Sequence, residues 1–179
     1  MHSLKPGVKI GFMEKKGVTL IELVITAVAL SILATLVFIA LDPYRSVRLQ
    51  SATSKLSLDL LYVRNLALST AKWYGISFDA DPVNTYTVYQ TDGVADTVIT
   101  DPSRPGEDFV IDINDYYNGV VISGLILGGG SKLEFDPLGT PFDDRLGLAF
   151  TREVAVVLSY RTLSREVRVA PETGRIFIQ

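Results

Sequence analysis

The sequence predicts an α+β protein, with one long N-terminal helix followed by an antiparallel β-rich domain. Three observations carry that expectation. Residues 18–41 are dominated by apolar side chains and contain one charged residue, Glu22. From Arg45 to about Lys72 apolar residues recur at spacings of three or four. Beyond Trp73, short β-branched and aromatic runs alternate with clusters of Gly, Pro, Asn and Asp. The chain is therefore expected to divide into residues 1–17, a membrane-crossing helix over 18–41, an amphipathic continuation over 42–73 and a β-rich head over 74–179.

The first helix follows from length. Crossing a bilayer takes about 20 apolar residues at ~1.5 Å of rise each. Lys15 and Lys16 stand just before the run, which keeps the N-terminus cytoplasmic and exports the rest. Glu22 is the anomaly. A carboxylate inside an apolar span costs a few kcal/mol unless it is paired or near the interface.

A basic leader ending in Gly17, then Val18-Thr19-Leu20-Ile21-Glu22, then an unbroken apolar segment, resembles the type IV pilin and type II secretion pseudopilin superfamily. The resemblance implies cleavage by a prepilin peptidase between Gly17 and Val18 and N-methylation of Val18. It also implies that Glu22 helps dock the subunit onto a growing filament. Val18 departs from the Phe or Met that most members carry. The residues agree with this role. A free Val18 amine would be a cation at a helix N-terminus, and a neighbour's amine could neutralise Glu22, strongly so in a low dielectric. The competing reading is a plain signal anchor, which leaves the coincidence of leader, glycine and Thr-Leu-Ile-Glu unexplained. A secretory signal peptide fits less well, because its apolar region is about 7–15 residues long.

The chain has 179 residues, enough for one exported domain beyond the anchor. Removing residues 1–17 takes away Lys5, Lys9, Lys15, Lys16 and Glu14, leaving 13 basic and 19 acidic residues and a net charge of −6. That balance argues against bulk binding to nucleic acid or to an anionic membrane surface. There is no cysteine, so the head must hold together by its core; many pilins carry a C-terminal disulfide that this chain lacks. The single histidine is His2, in the leader. This removes Ser-His-Asp and Cys-His chemistry and the common zinc sites, so no enzyme activity, cofactor or metal is expected.

Along the chain, Met13-Glu14-Lys15-Lys16-Gly17 would itself make a normal short leader, so translation is expected to start at Met13 rather than Met1. Leu41-Asp42-Pro43 is expected to bend or end the first helix, since proline lacks a donor and clashes with the preceding turn. Asp42 could instead cap a new helix with Pro43 at its first position, but a bend as the chain leaves the membrane is the favoured reading. Leu49, Ala52, Leu56, Leu60, Val63 and Ala67 then form an apolar stripe, expected to pack on a sheet. Gln50, Ser54, Lys55, Asp59 and Ser69 are expected mostly to face elsewhere. With the anchor this makes a helical stalk of about 55 residues, on the order of 80 Å if continuous.

The segment Ala52…Leu56…Leu60…Val63-Arg64-Asn65-Leu66-Ala67 is similar to the helix of the minor pseudopilin H and minor pilin T group, which often ends in Ala-Arg-Asn-Ala. Val63 and the intervening Leu66 depart from that pattern. Arg64 is expected to snorkel or to pair beside Asp59 or Asp79.

Gly75–Phe78 and Thr85–Tyr89 read as a hairpin around Asp79–Asn84. Thr91–Asp108 contains five acidic residues, two prolines and two glycines. It is expected to be an exposed loop in which only Thr97-Val98-Ile99 can pair, and it is a candidate partner surface. Phe109–Ile113, Val120–Ile122, Lys132–Phe135, Gly147–Phe150, Val154–Leu158, Arg165–Val169 and Ile176–Ile178 are further strand candidates. Gly128-Gly129-Gly130 is a turn, not a phosphate loop, as no Lys-Ser/Thr pair follows. Phe135-Asp136-Pro137-Leu138-Gly139 is similar to the phenylalanine-x-proline-x-glycine turn of the H/T group, and the ending around Thr173-Gly174-Arg175 is similar to that group's ending. Asp136–Pro141 is also similar to a segment near the calcium site of the major pseudopilin; the tryptophan of that segment is missing here, so calcium is not carried over.

Arg161, Arg165, Arg168 and Arg175 give the C-terminal end a local excess of basic charge. Some members of the T group bind DNA through such residues, so these four are candidate DNA contacts. A solvated face offset by Glu153, Glu166 and Glu172 is the favoured reading. Asp79 with Asp81, Asp92 with Asp96, and Asp143 with Asp144 are acid pairs without a full calcium-loop motif. The expectation is thus a minor pilin-like subunit of a type II secretion pseudopilus or a type IV pilus. It would be a single-pass protein of a bacterial inner membrane, with its head in the periplasm before entry into a filament. Its implied partners are other pilin or pseudopilin subunits, the prepilin peptidase and an inner-membrane assembly platform. The alternatives are a DNA-binding minor pilin for DNA uptake and a plain membrane-anchored periplasmic protein.

Overall fold

The computed structural model describes residues 17–79, 84–143 and 147–179; within the long helix, side chains are described up to residue 34 and from residue 46. Helix α1 runs from Leu20 to Thr70. The chain divides into two units between Leu41 and Asp42.

In the first unit the helix has a defined start. The Thr19 hydroxyl accepts the Glu22 N–H at 3.3 Å, and its carbonyl accepts the Leu23 N–H at 3.2 Å. Thr19 therefore caps the helix, at the Thr-x-x-Glu spacing of a capping box. Thr26 and Ser31 turn their hydroxyls back onto the carbonyls of Leu23 and Val28, so polar side chains inside the apolar run are satisfied within the helix. The Leu, Ile and Val residues from Leu20 to Leu33 are all between 49% and 83% exposed. Among the described residues no helix is long and apolar enough to cross a membrane. The expected span continues into residues 35–41, whose side chains lie outside the described set. Leu41-Asp42-Pro43 does not end the helix, which is continuous through it; a proline inside a helix removes one hydrogen bond without stopping the turns that follow.

In the second unit the C-terminal part of α1 lies against two antiparallel sheets rather than the single sheet expected. The first contains β1 (Trp73–Asp79), β2 (Thr85–Thr91), β3 (Asp96–Val98), β4 (Val110–Asp112), β6 (Lys132–Phe135) and β7 (Pro141–Phe142). Its order is β3-β2-β1-β6-β7. β3 pairs with residues 89–91 of β2 and β4 with residues 85–87, so both share one edge. The second sheet has the order β10-β9-β8-β5, from β5 (Val121–Ile126), β8 (Val154–Tyr160), β9 (Leu163–Val169) and β10 (Ile176–Ile178). A short helix, α2 (Ile113–Tyr116), separates β4 from β5, with Asp112 capping it through the N–H groups of Asn114 and Asp115.

The β1–β2 hairpin and the strands at β6, β8, β9 and β10 fall where the alternation placed them. Two expectations fail. Gly147–Phe150 makes only an isolated bridge, Ala149 to Phe142; one apolar alternation without a partner strand does not make a ladder. Ile113 leaves the strand and enters α2, because Asp112 caps a helical turn more effectively than it extends an edge strand.

One hydrophobic cluster joins α1 to both sheets. Leu49, Ala52, Leu56, Leu60, Val63 and Ala67 are all buried, against Ile76, Val88 and Leu133 of the first sheet and Val156, Leu158 and Val167 of the second. Fully burying one such aliphatic side chain contributes about 1.5–3 kcal/mol, so this stripe outweighs any surface ion pair, at ~0–1 kcal/mol each.

The helix ends at Thr70, where Ala71 takes φ of +53°. That left-handed conformation at a helix C-terminus is the one glycine adopts without steric cost. Ala71→Gly is expected to raise the stability of the detergent-solubilised full chain by ~0.5 kcal/mol, read as a higher urea midpoint. A lower midpoint would show that Ala71 is not strained.

Candidate functional site

The residues at the expected cleavage position are open. Gly17 has nothing within 4 Å of where a side chain would project. Val18 is 71% exposed, and regular helix begins only at Leu20. The Thr19 cap thus leaves the Gly17–Val18 peptide outside the helix. Glu22 sits in the first turn, which favours a carboxylate through the helix dipole. Among the described residues its side chain has no partner. Lys15 and Lys16 lie outside the described residues.

Arg64 is placed differently from expectation. It reaches neither Asp59 nor Asp79. Its Nε donates to the Gly139 carbonyl at 3.4 Å and its Nη2 to the Thr173 carbonyl at 3.0 Å. One guanidinium therefore ties the helix to two turns 34 residues apart in the chain. Both turns need glycine here. Gly139 has φ of +77° and lies against Arg64 and Leu68, while a Cβ at Gly174 would collide with the Gly139 carbonyl. The helix arginine, the Phe-x-Pro-x-Gly turn and the Thr-Gly-Arg ending were legible separately; the fold brings all three to one point.

Asp59 also departs from expectation, being inside rather than on a polar face. It is only 7% exposed. It accepts from the Lys55 ammonium one turn back on α1 and from the Tyr86 hydroxyl on β2. Burial raises its pKa; Lys55 and Tyr86 pull the other way without cancelling it. Burial, with Asp59 beside it, pushes the Tyr86 phenol well up, so Tyr86 stays a neutral donor. The reason for the departure is steric. Asp59 adjoins Leu56, Leu60 and Val63 in the helical net, and the sheet wraps far enough round α1 to cover it.

The acidic segment Thr91–Asp108 is more tied down than a free loop. Asp101 is 2% exposed; it accepts from the Ser103 N–H at 2.7 Å and from Arg104 Nε at 3.0 Å. Arg104 also bridges to Glu107 at 2.8 Å and to the Val110 carbonyl. Burial alone would raise the Asp101 pKa, but the Ser103 amide and Arg104 together hold it below the ordinary value. β3 lies one residue before the expected Thr97–Ile99. Most of the segment is exposed, including all three residues of β3 and the β2–β3 turn, where Val94 is 94% exposed.

The four C-terminal arginines do not form one patch. Arg161 lies in the β8–β9 turn and Arg175 in the β9–β10 turn, at opposite ends of β9. Arg165 shares the face of Val167 and Val169, whereas Arg168 lies on the other face, bound to Glu166 at 2.6 Å and Glu153 at 3.1 Å. Of the candidate calcium pairs, Asp81 and Asp144 lie outside the described residues. Asp92 accepts the Val94 and Ala95 N–H groups, and Asp96 pairs with Lys132 at 2.8 Å. Among the described residues no group of three or more acidic, His or Cys side chains could hold a metal.

The two buried acids give opposite pH dependences. Asp59 binds its proton more tightly when folded. It therefore contributes stability that is fully present below its unfolded pKa, near 3.8, and lost as pH rises through its raised folded value. Asp101 contributes stability that is present above its unfolded value and lost as pH falls through its lowered folded one. Urea midpoints should show wild type gaining on Asp59→Asn as pH falls from about 7 to about 4.5, and losing ground to Asp101→Asn only below the ordinary value of 3.8. Equal slopes for wild type and Asp59→Asn would mean that Asp59 titrates as a solvated acid.

The sequence matches no protein-family model and no curated protein. Its fold is similar to crystal structures of the type IV minor pilin FimU of Pseudomonas aeruginosa in two crystal forms. In one, the identity is 16% and the TM-score 0.50, over 73% of this chain and 87% of that one. In the other, the identity is 19% and the TM-score 0.51, over 73% and 92%. At this identity the likeness is one of fold: an N-terminal helix packed on antiparallel sheets, as in a type IV minor pilin.

Proposed function

We propose that this chain is a minor pilin-like subunit, made as a precursor, cut between Gly17 and Val18 by a prepilin peptidase, methylated on Val18 and assembled into a filament. The observation that carries this reading is the start of α1. An exposed Gly-Val peptide precedes a Thr19-capped helix that is aliphatic on every side and bears one carboxylate, Glu22. It belongs to a chain whose fold is similar to that of a type IV minor pilin. An exposed aliphatic helix is unstable in water and needs lipid or other helices around it. A bilayer before assembly and a bundle of neighbouring helices after it would meet that need in turn.

The head contributes a further face. Val47, Leu58, Leu61 and Leu68 are each at least 40% exposed on the side of α1 turned from its core, and Ser51 and Ser54 lie between them in a shallow groove beside Tyr117. This is a surface for helix packing rather than for chemistry, and the reading is non-catalytic. The protein would reside in a bacterial inner membrane with its head in the periplasm, then in a type II secretion pseudopilus or a type IV pilus. Its partners would be other pilin or pseudopilin subunits and the inner-membrane assembly platform.

The test is the intact mass of the chain after co-expression with a prepilin peptidase. The expected product begins at Val18, with or without one methyl group, and is absent from a Gly17→Ala variant. Glu22→Ala is expected to be cut but to enter filaments poorly. An uncut chain beside a second substrate that the same peptidase does cut would overturn the proposal and leave a plain membrane anchor.

A further inference from the structure

The polar cluster around Asp59 reaches the surface. Asp59 is 7% exposed. Lys55, one turn back on α1, and Tyr86, on β2, both donate to its Oδ2. Asp101, from the segment between β3 and β4, repels its charge without a bond to it, and Tyr117, just after α2, feels that charge in the same way. Lys55 and Tyr117 also line the shallow groove on the outward face of the helix, together with Ser51, Ser54 and Leu58. The cluster therefore has a buried end and an open end. Lys55 spans the two, with its side chain 28% exposed.

A proton affects the two bonds at Asp59 unequally. Both donors use Oδ2, and Oδ1 accepts no bond among the described residues. A proton taken on Oδ1 leaves the Tyr86 hydroxyl its acceptor, because a neutral carboxyl still accepts. It removes the charge that holds the ammonium, and a charge-paired hydrogen bond is far stronger than one to a neutral oxygen. Little else keeps Lys55 in place. The Phe109 ring lies 5.4 Å from its Nζ. Asp101 already accepts from the Ser103 N–H and from Arg104. A freed ammonium is best solvated by water, and water lies on the groove side. We infer that the head carries a proton-operated switch: protonation of Asp59 releases Lys55 into the groove beside Tyr117, which turns a surface whose cation is paired inward into a cationic one. Burial, with the charge of Asp101, favours the protonated form against the pull of Lys55 and Tyr86, so the switch turns above the ordinary value of 3.8. The head stays folded through the change, because Asp59 adds stability as pH falls. The inference is independent of the filament reading. In any assembly, the groove accepts an acidic neighbour better in acid than at neutral pH.

The chain has no cysteine, so Ser51→Cys in the detergent-solubilised full chain gives one site for a neutral fluorophore in the groove. Quenching by iodide reads positive charge there, and quenching by acrylamide reads access alone. As pH falls, the iodide-to-acrylamide ratio is expected to rise about twofold in one step with a midpoint above 3.8, at constant far-UV circular dichroism. Asp59→Asn keeps an acceptor for Tyr86 and is expected to hold the ratio at its high level throughout. Lys55→Met is expected to cut the step to less than half, since only the buried charge then changes. No step above 3.8, a step of unchanged size in Asp59→Asn, or a step of half size or more in Lys55→Met overturns the inference. So does a step that comes with loss of the dichroism signal, which reads unfolding. Lys55→Met lies on the exposed side of the pair and decides the matter by itself should Asp59→Asn fail to fold.

Discussion

Everything in the head depends on the buried face of α1. Six aliphatic residues between Leu49 and Ala67 close against two sheets at once. At about 1.5–3 kcal/mol for each large side chain, this stripe dominates the energetics of the domain. It also explains how a head without disulfides can stand. Each sheet is antiparallel and small, and neither has a second layer of its own. Each buries its apolar face by sharing the one helix, so helix and sheets form a single core.

The polar departures follow from that constraint. Once the sheets wrap round α1, residues at the margins of the stripe are drawn in. Asp59 is drawn in far enough to need a partner and finds two, Lys55 on its own helix and Tyr86 on β2. A buried carboxylate so held contributes little net stability, but it disfavours any register of helix on sheet that would leave it unpaired. Arg64 lies at the other margin and does the equivalent work for the C-terminus. Its two carbonyl bonds draw the β6–β7 and β9–β10 turns together where only glycines allow the approach. The most informative polar residues in this molecule are thus those that border the apolar stripe.

The N-terminal unit obeys a different logic. Its described residues include no buried side chain, and their aliphatic surface faces outward all round. Among the described residues Thr19 and Glu22 are the polar devices at the helix start, and each has two uses. The Thr19 hydroxyl satisfies a helix amide and, by doing so, leaves Gly17–Val18 in open chain. The Glu22 amide completes that cap while its carboxylate remains available. Under the proposed reading, Gly17, Val18, Thr19 and Glu22 would together serve processing, helix initiation and docking.

The sequence by itself determined the periodic parts. The buried stripe of α1 was legible residue by residue, because helical spacing depends only on local geometry. The β1–β2 hairpin, β6, β8, β9 and β10 were legible because turn chemistry and alternation are also local. The Gly17–Val18 and Glu22 positions were read from a motif spanning a few residues. Tertiary structure alone decided what depends on distant segments. It split the strands into two sheets, left Gly147–Phe150 as a bridge for want of a neighbour, buried Asp59 and Asp101, and separated four arginines that sequence had grouped. It also brought Arg64, Gly139 and Gly174 to one point. Spacing along a chain records which face a residue occupies. It does not record how far another segment will wrap around that face, and the wrapping decides which charges are buried and which remain free to meet a partner.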